Sequence, residues 1–128
     1  MDKQLIYNAI KTPDGTVLVS YHRHDYKTHI DDNKEKYMID GGLEYIRTSV
    51  NKIPAESLAV YDDEPFTKIR EFMHRGGRGT DGKQPLEYVK LSEMNDDWVK
   101  AVIKYEEELR PNNRFLKFYR QEKEYRGI

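Results

Sequence analysis

There is no cysteine among the 128 residues, which excludes disulfide scaffolds, thiolate zinc sites and cysteine nucleophiles. Long apolar runs are missing too, so no segment reads as a membrane span. The polar opening "MDKQ" lacks the pattern of a signal peptide, and a soluble intracellular protein is the expectation. An excess of charge of one sign is also absent. The 22 Lys and Arg nearly balance 23 Asp and Glu, leaving a net charge of −1 and a pI near 6.4. Proteins that hold long nucleic acids by their phosphates normally carry a basic excess, so no long nucleic-acid partner is expected.

What the chain has is tyrosine and charge. Ten tyrosines, 37% hydrophobic and 35% charged residues describe a small core under a heavily charged surface. Tyrosine packs like an apolar residue but brings a hydroxyl, which suits pockets and interfaces. Half-buried core packing is the plain alternative at any one position.

The length suggests one domain over 1–128, β-rich to about residue 61 and helix-rich from about residue 62. "LIYNAIK" (5–11) and "TVLVSYH" (16–22) flank "TPDG" and predict a β-hairpin. "DDNKEK" reads as a connector, "YMIDGG" as a strand and glycine turn, "LEYIRTSV" as a strand or short helix, and "SLAVY" as a strand. A helix is expected from a cap at Asp62 or Asp63 to a stop at Gly76, with Phe66, Ile69 and Met73 on one face. "RGGRGTDGKQ" reads as a loop and "LEYVKL" (86–91) as a strand. Asn95 should cap the clearest helix, whose stripe is Met94, Trp98, Ala101, Val102, Tyr105 and Leu109. A last helix over 112–126 is expected behind Asn112 or Asn113. Strands first and helices later predict an α+β fold, an antiparallel sheet from the N-terminal half packed against two or three helices from the C-terminal half.

"YHRHDYKTH" (21–29) concentrates His22, Arg23, His24, Asp25, Tyr26 and His29. On a strand His22 and His24 would share a face, as in H-x-H metal sites. Asp25 follows His24 directly, however, and does not reproduce H-x-H-x-D-H, so no metal ligands are assigned. An acid–base role suits any histidine, and bonding to carboxylates and carbonyls at a strand end is the plain reading. "GRGTDGKQ" (77–84) fits G-x-x-x-x-G-K, but Gln84 stands where a magnesium-binding hydroxyl belongs and Pro85 blocks the following helix. This is no nucleotide-hydrolase loop, although glycines beside Arg75 and Arg78 can let backbone amides approach a phosphate. Arg47 and Arg114 are further candidates for a diphosphate, because guanidinium groups match phosphate oxygens bidentately. Phe72 can stack a base, and Asn95 can bond a ribose or base edge.

"YNAIKTPDGT", "HRHDYKTH", "YMIDGGLEYIRTSVN", "YDDEPFTKIREF" and "GTDGKQPLEYVKLSEMNDD" resemble, as a set, the type one anti-Thoeris sponge family of small phage-encoded proteins. The resemblance spans nearly the whole chain. It implies a protein that binds cyclic ADP-ribose isomers made by bacterial TIR-domain immune enzymes and holds them without cleavage. Some members of that family also bind cyclic di- or trinucleotides, and they assemble as dimers or hexamers. No catalytic residue and no cofactor is expected, and the host bacterial cytoplasm is the expected location. The matching stretches contain Arg23, His24, Asp25, Tyr26, Arg47, Phe72, the glycine loop and Asn95. "HRG" at 74–76 departs from an aromatic "WG"-like stretch expected there. From chemistry, Arg23, His24, Asp25, Tyr26, Arg47, Phe72, Arg75, Arg78, Asn95 and Arg114 are expected to converge on one phosphate-sized hollow. The competing readings are a histidine- or metal-dependent phosphodiesterase using His22, His24 and Asp25, and a module that binds a host protein through its tyrosines and "DDEP".

Overall fold

The hairpin expected around "TPDG" is present in the computed structural model, which describes residues 3–79 and 81–128. Strand β1 (Leu5–Lys11) pairs antiparallel with β2 (Val17–Ser20), setting Asn8 opposite Ser20 and Lys11 opposite Val17. Gly15 closes the turn at φ +90°, a conformation that glycine adopts without steric penalty. Its N–H donates to the Thr12 carbonyl at 2.9 Å, and the Thr12 N–H donates to the Thr16 carbonyl at 2.8 Å.

The chain divides into two compact units, Met1–Glu64 and Pro65–Ile128, close to where the sequence changes character. In the first, the other edge of β1 pairs with β6 (Glu56–Ser57) and β7 (Val60–Tyr61). A second antiparallel sheet joins β3 (Lys27–Ile30), β4 (Lys36–Asp40) and β5 (Arg47–Thr48) in that order. Ile10, Leu18, Tyr37 and Ile39 from the two sheets form a buried cluster, with Ala55 packed against it. Burying each large side chain contributes about 1.5–3 kcal/mol.

The polar connector 31–35 is the turn of the β3–β4 hairpin, held by Asp31, whose carboxylate accepts from the N–H groups of Asn33 (2.9 Å) and Glu35 (3.0 Å). Asp14 ties the first hairpin to the second sheet. Its carboxylate accepts from His29 Nε2 at 2.8 Å, from Thr12 Oγ1, and from Thr16 N–H at 3.1 Å. The His29 bond above all, then Thr12, hold the Asp14 carboxyl well below the usual carboxylate range, against a smaller opposing effect of burial. A folded-state pKa lowered in this way adds stability above the ordinary carboxylate pKa, and that stability is lost as the pH falls below it. Asp14→Asn should therefore be less stable than the natural chain at pH 7. The difference should shrink as urea midpoints are followed from pH 5 down to pH 3.

The second unit holds α1 (Phe66–Phe72), the hairpin β8 (His74–Gly77) and β9 (Glu87–Lys90), a 3₁₀ turn at Leu91–Glu93, α2 (Asp96–Leu109) and α3 (Leu116–Arg126). The fold is α+β, with antiparallel sheets in the N-terminal half and three helices in the C-terminal half. No helix among the described residues is long and apolar enough to cross a membrane.

Several boundaries differ from the sequence reading. β2 ends at Ser20, so His22 and His24 lie on a turn rather than a strand. Only Arg47–Thr48 of 43–50 is a strand. Asp62 and Asp63 do not cap α1: Pro65 is extended at ψ 143° and the helix starts after it, while the Asp62 carboxylate accepts from Gln4 N–H at 2.9 Å. The expected stop at Gly76 is overridden because Met73 turns extended and His74–Gly77 pairs with β9. Arg75 to Gly77 are thus strand, and Thr80 of the expected loop lies outside the described residues. Asn95 caps α2 as expected, accepting from Trp98 N–H at 2.8 Å. The buried face of that helix is Val99, Val102, Ile103 and Glu106, whereas Ala101, Tyr105 and Leu109 are exposed. Asn113 accepts from Phe115 N–H at 2.9 Å in a turn that precedes α3, so this helix starts later than expected.

Candidate functional site

Two tight turns of the first unit meet, and the meeting depends on glycine. After β2 the chain reverses through 21–26: Asp25 N–H donates to the His22 carbonyl at 3.0 Å and Tyr26 N–H to the His24 carbonyl at 2.9 Å. His24 sits at φ +63°, in the left-handed region that costs a non-glycine residue about 1–2 kcal/mol. After β4, Gly41 and Gly42 also take positive φ, 107° and 54°. A Cβ on Gly42 would fall 2.2 Å from the His22 carbonyl carbon, so only glycine allows the contact.

Hydrogen bonds lock the two turns together. The Ser20 hydroxyl donates to the Asp25 carbonyl and accepts from Gly42 N–H, both at 2.8 Å. Asn8, 1% exposed, reaches from β1 under the second turn, and its amide nitrogen donates to the Gly42 carbonyl at 2.9 Å. The Asp40 and Tyr45 carbonyls lie 3.3 and 3.4 Å from the same nitrogen.

A connected polar chain runs across these turns. His24 Nδ1 lies 3.1 Å from the Tyr45 hydroxyl, which lies 3.5 Å from Asp40 Oδ2. Arg47 Nη2 donates to that same Asp40 oxygen at 3.1 Å. The Asp40 side chain is 8% exposed while that of Arg47 is 61% exposed, so a buried carboxylate holds one terminal nitrogen of an accessible guanidinium. Arg23 pairs with Glu44 at 3.2 Å, and both side chains are more than half exposed. Asp25 accepts from Tyr21 N–H at 2.8 Å and faces Lys27 Nζ at 3.4 Å. Tyr26 is half exposed beside them.

Five of the ten expected ligand residues, Arg23, His24, Asp25, Tyr26 and Arg47, thus lie on or beside these two turns. The other five belong to the second unit and have separate surroundings. Arg75 pairs with buried Glu106 at 3.2 Å, and Asn95 is the α2 cap. The Arg114 guanidinium lies over the Phe115 ring at 4.0 Å. Phe72 is half-buried at the end of α1, and Arg78 is exposed on the β8–β9 loop. The expected convergence of all ten on one hollow is therefore not found within either unit. Sequence reasoning missed Asn8, Asp40, Glu44 and Tyr45. The glycine pair after Asp40 was the available signal, but it marks a turn without naming what the turn meets.

Each imidazole has a defined partner. His24 contacts a phenol, His29 a carboxylate, and His22 and His74 the carbonyls of Arg23 and Phe72 at 3.0 and 2.6 Å. Burial pushes the His74 imidazole below its ordinary pKa. Comparison with family models, with curated proteins and with solved structures gives no match for this chain.

Proposed function

We propose that the protein binds a small cyclic nucleotide and holds it without cleaving it, at the face where the 21–26 and 40–47 segments meet. The observation that carries this reading is the linkage of His24, Tyr45, Asp40 and Arg47 into one chain of polar contacts, with Arg23 alongside. Arg47 is held in place by a buried carboxylate, which lowers the ordering cost of binding. Among the described residues Arg23 pairs with exposed Glu44, and a pair of that kind is worth about 0–1 kcal/mol. A phosphate can therefore displace Glu44 from Arg23 at little cost. The His24 ring uses Nδ1 towards Tyr45, which leaves Nε2 to meet an anion.

The sponge resemblance supplies the ligand class in this reading: a cyclic ADP-ribose isomer, with cyclic di- and trinucleotides as further ligands. The protein would then be a phage protein that acts in the host bacterial cytoplasm, withdrawing an immune signal from its effector. Self-association as a dimer or hexamer belongs to the same reading. Ala101, Tyr105 (44% exposed) and Leu109 (63% exposed) on α2 offer an apolar strip for a second copy.

Calorimetric titration with these nucleotides tests the site. Arg23→Ala and Arg47→Ala should each weaken binding about 10- to 100-fold, the loss of one charge-assisted bond, and leave the circular dichroism spectrum unchanged. Glu44→Gln should tighten binding, because it frees Arg23. Unchanged affinity in both arginine variants would place the site elsewhere. Nucleotide recovered intact after the protein is denatured supports sequestration, and catalytic consumption would favour the phosphodiesterase.

A further inference from the structure

The first unit carries a partly open pocket of about 150 Å³ whose lining includes Asn8, Ile10, Tyr37 and Ala55 and, at its exposed wall, Ile46 and Thr48. None of its lining side chains carries a formal charge. Tyr37 donates its hydroxyl to the Ile53 carbonyl at 2.5 Å, and burial, with Asp31, Glu35 and Asp14 nearby, raises its pKa and keeps it neutral. An ion entering this space would give up part of its hydration and find no counter-charge on the walls. The occupant that fits is uncharged.

Size narrows the choice. A cavity of about 150 Å³ accepts a small flat ring system such as a nucleobase, whereas whole small-molecule ligands fill about 300–1,000 Å³. The walls are mixed: Ile10, Ile46 and Ala55 offer apolar contact, and the side chains of Asn8 and Thr48 offer polar atoms to a ring edge. The place in the fold matters equally. Asn8, which lines the cavity, also holds the turn that carries Asp40 and Tyr45, and Asp40 in turn binds Arg47.

We propose that this cavity receives the uncharged ring of the ligand, its nucleobase, while the anionic part stays outside at Arg23 and Arg47. This inference rests on the binding reading above and adds a ring-binding subsite to it. A nucleotide would then be held at two separately tunable points, one apolar and one ionic.

Amide chemical shifts of the ¹⁵N-labelled full chain, titrated with adenine, with inorganic pyrophosphate and with a cyclic ADP-ribose isomer, test it. Adenine should move the amides of Ala9, Thr48 and Ala55, whereas pyrophosphate should move those of Arg23, His24 and Arg47. Ala55→Leu should fill the space, abolish the adenine shifts, weaken the cyclic nucleotide at least 10-fold and spare the pyrophosphate response. Thr48→Leu fills the same space from another wall, so a folding defect in one variant does not decide the matter. Full cyclic-nucleotide affinity in a folded, cavity-filled variant overturns the inference and leaves the binding reading standing. Adenine in the cavity with no cyclic nucleotide bound anywhere upholds the ring site and overturns the binding reading.

Discussion

Gly42→Ala should unfold the first unit at lower urea and weaken nucleotide binding in the same variant. The three atoms nearest the added Cβ would all be backbone: the His22 carbonyl carbon at 2.2 Å, its oxygen at 2.4 Å and its Cα at 2.6 Å. No side-chain rotation relieves that contact, so one turn must move. A left-handed backbone costs a non-glycine residue about 1–2 kcal/mol, and overpacking adds about 1–3 kcal/mol. The expected loss is thus about 2–5 kcal/mol. Separating the turns also breaks the Ser20–Gly42 bond and spreads His24 away from Tyr45. Gly15→Ala is the control. Gly15 has φ +90° with nothing within 4 Å of its would-be Cβ, so it should show the conformational cost alone, with binding intact. Equal effects of the two substitutions would mean that the turns do not depend on this contact.

The second large effect is expected at Glu122. Its side chain is fully buried, yet it accepts from Arg70 Nε and Nη2, both at 2.7 Å, and from Arg126 Nε at 2.6 Å. Burial alone would raise its pKa, and the bonds from Arg70 and Arg126 more than reverse this, so the carboxyl lies below its ordinary value. Glu122→Ala leaves two guanidiniums facing a void, and breaking a buried pair on one side costs about 3–5 kcal/mol. Glu122→Gln keeps the shape and some hydrogen bonding and should lose less. Replacing Glu122, Arg70 and Arg126 together with apolar residues should recover part of the loss, because the uncompensated charge is what destabilises. Urea unfolding of the three variants checks the order. Stability equal to that of the natural chain in all three would show that the ion pairs hold nothing.

These buried carboxylates explain where the sequence was legible and where it was not. Local chemistry is written locally: Pro13, Asp14 and Gly15 specify the first turn, and Asn95 specifies the start of α2. The inward face of α2 was misread because Glu106 belongs to it, and a glutamate in a helical pattern is normally placed outside. Arg75 looked like a phosphate ligand for the matching reason, since its partner lies 31 residues away on α2. The candidate site was half legible. The histidine-rich stretch identified itself, but Asp40 and Tyr45 are brought to it by Asn8 and the glycine contact, and no local pattern encodes those.

The central claim is that accessible arginines on the first unit hold a cyclic nucleotide intact. Titration of the natural chain with a cyclic ADP-ribose isomer, followed by denaturation and quantification of the nucleotide, tests this most directly. The account predicts saturable, stoichiometric binding with the ligand recovered whole, and loss of binding when Arg23 and Arg47 are both alanine. Undiminished binding by that double variant, or a ligand consumed beyond one equivalent, would contradict it.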